Sequence, residues 1–496
     1  MVIIETTKGN VRGTQEAGYQ CFRGIPFAKP PLGDLRFREP LPVDRWEEVK
    51  DATKFGSIPI QSYPEDPPIG QDESEDCLFL NIWTPSADNK NRAVMFWIYG
   101  GGFINGASSR SRVNGAKLAV YGDVVVVSSN YRLGALGFLN LPEIPPNIGI
   151  LDQIAALKWV QENIERFGGD PNNVTVFGES AGASSIAILL ASPLAKGLFH
   201  KAIMESGAAN PRNYEAKRPR EGAEEFLTKL RIENMDIDAL RAFPLKKLKR
   251  AQQKIAGGII NLSNNPFQPF VDGKIIPEHP LEIMRKGKGN YVPIIIGSND
   301  DEVGFISLLL NQEIGKTIKP VMNYVQNELQ SIGNDKKKIE NLVNIYKEEF
   351  EKEYPNKPFK YFDALISDSM FGIPIIRTLE AFVHHQPYAY CYIFNYGSRK
   401  NNIAVHTLEI PFVFGNLDTI DVADGGVEIC EETEKLSKDM MDSWIAFAKR
   451  GNPNHKGLPE WPPYDLEKRA TMILRGNSKV EYNPKAILRE AWNDII

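Results

Sequence analysis

The chain has 496 residues, 42% of them hydrophobic and 24% charged, and a net charge of −5. That balance belongs to an ordinary globular protein with room for one large domain or several small ones. It offers no basic stripe for nucleic acid, and no apolar run approaches the roughly 20 residues of a membrane span, so neither partner is expected.

The N-terminal Met-Val-Ile-Ile-Glu-Thr-Thr-Lys-Gly enters a strand pattern at once, without the basic and apolar regions of a secretory signal. The C-terminal Ala-Trp-Asn-Asp-Ile-Ile carries no retention signal. The four cysteines, Cys21, Cys77, Cys391 and Cys430, show neither a metal-binding spacing nor a Cys-x-x-Cys pair. So few thiols in so long a chain suit a reducing compartment, and the expected location is cytoplasmic.

The first 55 residues read as short strands and turns, and residues 56–76, rich in Pro, Asp and Glu, as a loop. Leu78–Trp83, Ala93–Tyr99 and Val124–Ser128 are short, apolar and β-rich, the pattern of strands buried on both faces. Residues 150–166 carry apolar side chains at helical spacing and end at Gly168-Gly169-Asp170-Pro171. Further strands are expected at Val174–Phe177, Lys201–Glu205, Val292–Ile296 and Ala389–Phe394. Strands alternating with helices predict an α/β fold, a largely parallel sheet flanked by helices. The stretches 215–255 and 305–352 read as charged helical insertions into a single large domain, and their lysine runs as solvated helix faces.

The strand Val174–Phe177 runs into Gly178-Glu179-Ser180-Ala181-Gly182 and then into a run of small and apolar residues that reads as a helix. Gly-x-Ser-x-Gly between a strand and a helix is the pattern of a nucleophile elbow. A serine on so tight a turn is strained, and only glycine two residues to either side leaves room for it. A serine hydroxyl also needs a base, a group to orient that base, and donors for the oxyanion. For donors, Tyr99-Gly100-Gly101-Gly102-Phe103 follows a strand and bares its amides; Gly101, Gly102 and Ala181 are the candidates. For the acid, Val292–Ile296 leads into Asp300, Asp301 and Glu302, among which spacing does not choose. For the base, His406 alone of six histidines lies both after the acid and just past the strand Ala389–Phe394.

Several blocks in order resemble the type-B carboxylesterase family of cholinesterases, animal carboxylesterases and bacterial para-nitrobenzyl esterases. They are Phe22-Arg-Gly-Ile-Pro-Phe-Ala28, Ser74-Glu-Asp-Cys-Leu-Phe-Leu-Asn-Ile-Trp83, Asn147 through Gly182, Asp301-Glu302, and His406-Thr-Leu-Glu-Ile-Pro-Phe-Val-Phe-Gly415. The resemblance implies the α/β-hydrolase fold, no metal or cofactor, and an acyl-enzyme on Ser180 with His406 as base and Glu302 as acid. It implies supporting positions for Ser206 and Glu179. Two departures stand out. Ile60 occupies the place of the cysteine that often pairs with the one at Cys77, so Cys77 is expected to be unpaired. Residues 56–76 contain no tryptophan, which disfavours choline esters and points to the bacterial branch. The expected activity is hydrolysis of small, fairly apolar carboxylic esters. The alternatives are amide, carbamate, lactone or thioester cleavage by the same groups, and a non-catalytic adhesion protein of the same fold.

Overall fold

Runs of β-branched and aromatic residues form the middle of one large sheet. The computed structural model describes residues 1–62, 71–233, 235–256, 265–304, 330, 335–355, 360–397, 403–419 and 427–496. Its strands in chain order are β1 (Val2–Glu5), β2 (Asn10–Glu16), β3 (Tyr19–Pro26), β4 (Lys50–Asp51), β5 (Phe79–Thr84), β6 (Arg92–Ile98) and β7 (Val125–Ser129). They continue as β8 (Gly169–Glu179), β9 (Lys201–Glu205), β10 (Ile294–Asn299), β11 (Ala389–Phe394), β12 (Ala470–Leu474) and β13 (Lys479–Tyr482). The order across the sheet is β1-β2-β3-β5-β7-β6-β8-β9-β10-β11-β12-β13, with β4 beside β2. From β7 to β12 every neighbouring pair is parallel, and the flanks are antiparallel apart from the short β4.

Every residue of β6 and β7 is buried, as the unbroken apolar pattern predicts for strands covered on both faces. On one face of β11, Tyr392 and Tyr390 meet Trp444 and Phe447 of the helix Glu431–Arg450 edge-on. On the other, Cys391 and Ile393 face the helix Ile373–Phe382.

The expected strands all appear, most displaced by one or two residues. β8 is longer than its apolar core because its Gly169 end pairs with Arg92 of β6. The helix expected over 150–166 runs Ile148–Asn163, tightens into a 3-10 turn over Ile164–Phe167 and stops at Gly168, whose φ of +82° is the left-handed value glycine tolerates best. The stretch 215–255 holds helices Lys217–Leu230, Ile237–Ala242 and Leu245–Ala256. Of 305–352, residues 305–329 and 331–334 lie outside the described residues, and the rest carries the helix Lys336–Glu353. β12 and β13 extend the sheet beyond the strands expected from sequence. All four cysteines are free; Cys77 is buried in the core cluster with Ile60. No described helix is long and apolar enough to cross a membrane.

Candidate active site

β8 ends at Glu179 and the helix Ala181–Ala191 begins two residues later, so the whole reversal falls on Ser180. Its φ of +56° and ψ of −121° are strained for a residue with a side chain. The glycines on either side are required, and the atom that requires both is the carbonyl oxygen of Ile98 at the end of β6. A Cβ would lie 2.5 Å from it at Gly178 and 2.0 Å from it at Gly182. Crowding therefore comes chiefly from the neighbouring strand rather than from the serine's own backbone. The Ser180 amide donates to the Glu205 carbonyl at 2.8 Å, which ties the turn to β9.

The glycine loop packs directly on this turn: a Cβ on Gly100 would sit 2.6 Å from Glu179 Oε2 and 2.8 Å from Ser180 Cβ. Gly101 and Gly102 have φ of +105° and +61°. The Gly101 carbonyl accepts from the amides of Ile104 and Asn105, and the Gly102 carbonyl from Asn265 Nδ2, so the loop is pinned by its oxygens. The amides of Gly101 and Gly102 have no partner among the described residues. Ala181 opens the helix after Ser180, and its N–H is one of the first-turn amides with no intrahelical acceptor.

Glu302 lies in the turn after β10, 1% exposed. Its Oε1 accepts from the Asn299 amide at 2.8 Å, and its Oε2 lies 2.6 Å from Nδ1 of His406. The His406 amide also donates to the Glu302 carbonyl at 3.1 Å, so both backbone and side chain of the histidine are docked on the acid. The Phe371 ring covers the imidazole at 4.8 Å between centroids.

The other ring nitrogen is where the structure departs from expectation. Nε2 of His406 lies 3.0 Å from Oε1 of Glu179, and the Ser180 hydroxyl makes no hydrogen bond to a described residue. Of the expected trio, Glu302 and His406 are thus in contact, and the ring meets the residue beside Ser180 rather than Ser180 itself. Glu179, expected only as support, contacts the imidazole directly. Burial pulls the His406 pKa down, but the carboxylates of Glu179 and Glu302 outweigh it and hold the imidazolium well above the ordinary histidine value.

Two more buried glutamates stand behind this pair, and neither was expected from sequence. Glu409, three residues after His406, accepts from Asn299 Nδ2 and, at 3.4 Å, from the Ser206 hydroxyl. Its pKa is pushed up to about 8, by burial and then by the charges of Glu179 and Glu302. Glu205, at the end of β9, accepts from Trp444 Nε1 at 2.7 Å; burial first, then Glu409, raises its pKa well above the carboxylate range. Among the described residues, Ser206 thus reaches this cluster of carboxylates only through Glu409. A glutamate closing the buried strand Lys201–Glu205, and another opening the apolar run Ile410–Phe414, were the signals available. Among the described residues no cluster of His, Cys, Asp and Glu is arranged to hold a metal ion.

A strained serine between a parallel strand and a helix, with a buried acid–histidine pair from later strands, defines a hydrolase of the α/β-hydrolase fold. The chain belongs to the carboxylesterase family, whose profile matches residues 1–491. It is 40% identical to the para-nitrobenzyl esterase of Bacillus subtilis (strain 168), with 98% of each chain covered. It is 35% identical to human cocaine esterase, over 92% of this chain and 84% of that one. Among solved structures, it superposes on a PNB esterase with a TM-score of 0.85 at 38% identity, over 99% of each chain. On a Geobacillus stearothermophilus carboxylesterase the TM-score is 0.87 at 36% identity, over 99% of this chain and 100% of that one. The protein is accordingly a carboxylic-ester hydrolase of the serine type.

Proposed function

We propose that Ser180 is the nucleophile, His406 the base and Glu302 the group that orients it, with Gly101, Gly102 and Ala181 donating to the oxyanion. The 2.6 Å contact between His406 Nδ1 and buried Glu302, groups 104 residues apart in the chain, carries the reading. With Nδ1–H held there, Nε2 is the nitrogen free to take a proton. Catalysis then needs one movement, the turning of Nε2 from Glu179 to the adjacent Ser180. Oγ attacks the ester carbonyl carbon as its proton passes to Nε2, and the three amides stabilise the tetrahedral oxyanion. The C–O bond to the alcohol breaks, and the alkoxide leaves with the proton from Nε2. Water repeats the sequence on the acyl-serine and releases the acid.

The preferred substrates are small, fairly apolar esters without a choline cation. The Phe371 ring beside the base and the absence of tryptophan from residues 56–76 support this. Four unpaired cysteines support a cytoplasmic location, and the whole is read as a single domain with helical insertions. Turnover of p-nitrophenyl esters of rising acyl length tests both parts. Ser180→Ala is expected to lower kcat roughly a millionfold with an unchanged melting temperature. Near wild-type turnover in that variant rejects the mechanism, and rates that keep climbing with long acyl chains reject the substrate class.

A further inference from the structure

Strands at the middle of a doubly covered sheet tend to bury every residue, and β9 to β12 do so except at one place. Ser298 of β10 and Ile393 of β11, direct partners in the parallel register, are both partly exposed. The covering chain there departs from α-helical geometry in a π-turn over Asp368–Gly372 before the helix Ile373–Phe382 resumes. The wider turn leaves a cleft of about 60 Å3 between that helix and β10–β12. π-turns are frequent at functional sites.

We propose that this cleft is a second ligand site, separate from the esterase centre, which takes a small apolar carboxylate. Its wall is aliphatic, with Ile376 and Ile393 both leaving apolar surface uncovered. Its rim is cationic: Arg469, Lys485 and Arg489 line it. Arg469 uses only Nη1, on Glu380 and the Tyr464 hydroxyl, which leaves Nε and Nη2 without a partner among the described residues. Arg489 uses Nε on Asn483 and Nη2 on Glu490. Lys485, about a third exposed, makes one ion pair with Asp300 at 2.7 Å. The opposing carboxyl in the lining is Asp368, which accepts from the Tyr346 hydroxyl and is driven toward its neutral form by burial. An aliphatic wall and unspent guanidinium donors match an acyl chain ending in a carboxylate. A neutral alcohol would satisfy only the wall.

Calorimetric titration with hexanoate, and with hexanol as its uncharged counterpart, tests this on the full chain. Wild type and Ser180→Ala are both expected to bind one hexanoate saturably at this site, so the result does not depend on the catalytic assignment. Ile376→Trp fills the cleft and should abolish that binding. Arg469→Gln, at the rim, should weaken hexanoate about tenfold and leave hexanol unchanged. Absence of saturable binding in wild type, or binding that survives both substitutions, overturns the proposal. Equal affinity for hexanol and hexanoate overturns the carboxylate specificity.

Discussion

The two halves of the site are held in place by different physics. On the side of the proposed nucleophile, Ser180 and the loop Gly100–Gly102 are fixed by hard-sphere contact, with backbone oxygens of Ile98 and Asn105 standing where side chains would otherwise go. On the base side, Glu302, His406, Glu179 and Glu409 are placed by charge and hydrogen bonds in a dry environment. The first half admits one arrangement. The second admits at least two, since His406 Nε2 can answer to Glu179 or to Ser180. Steric placement gives precision, and electrostatic placement makes the site sensitive to pH.

After the loss of Ser180 itself, the largest expected effect comes from removing the charge proposed to orient the base. Glu302→Gln keeps the shape but favours the wrong tautomer of His406, so kcat should fall about ten-thousandfold. Steady-state kinetics on a p-nitrophenyl ester, with a melting curve to show that the fold is kept, measures this. A loss below about tenfold would mean that the 2.6 Å contact is structural.

On the steric side the matching substitution is Gly101→Ala. Its Cβ would come within 2.4 Å of the Asn105 carbonyl at a φ of +105°. The loop must shift, and a misplaced oxyanion donor costs about a hundred- to thousandfold in kcat. The expected signature is a fall in kcat with KM little changed. An effect on KM alone would place the loop in substrate binding instead.

These two sides were unequally legible in the sequence. Gly178, Ser180 and Gly182 announce themselves by spacing, because the elbow is local; that Ile98 enforces both glycines is a tertiary fact no spacing encodes. His406 could be picked by chain order, but Glu302 was separated from Asp300 and Asp301 only by family resemblance. In the structure those two aspartates pair with cations instead, Asp300 with Lys485 and Asp301 with Lys360. The direct contact of Glu179 with the imidazole was not legible, since a side chain next to a strained residue can point to either side of the turn. β12 has a buried-strand composition in Ala470-Thr-Met-Ile-Leu474, but five residues with no motif beside them do not by themselves distinguish a strand from a buried turn of helix.

The pairing of His406 with Glu179 predicts a pH effect with a definite sign. Two carboxylates raise the imidazole pKa, and the proposed mechanism needs the unprotonated ring. Glu179→Gln removes one of them, so the acid limb of the kcat/KM profile should move to lower pH. An unmoved limb would exclude the contact from the working enzyme. The wild-type pair also contributes stability that is complete below the unfolded histidine value of about 6.5 and is lost as pH rises through the raised folded value.

Glu409 gives the smallest effect and the one that best separates stability from chemistry. Its carboxyl ionises at about 8 in the folded chain, against an ordinary glutamate value of 4.5. Between those values the folded protein holds a proton that the unfolded chain has released, so stability falls as pH rises through that window. Glu409→Gln keeps the acceptor that meets the Ser206 hydroxyl but cannot ionise, and it should flatten the fall. Urea unfolding midpoints at pH 5 and pH 8 measure it: the wild-type midpoint should drop between them by more than the variant's. Because Glu409 reaches His406 only as one of several charges, kcat at the optimum should change little. A variant with the wild-type pH slope would mean that Glu409 is already ionised at pH 5, its charge held by Asn299 and the imidazolium.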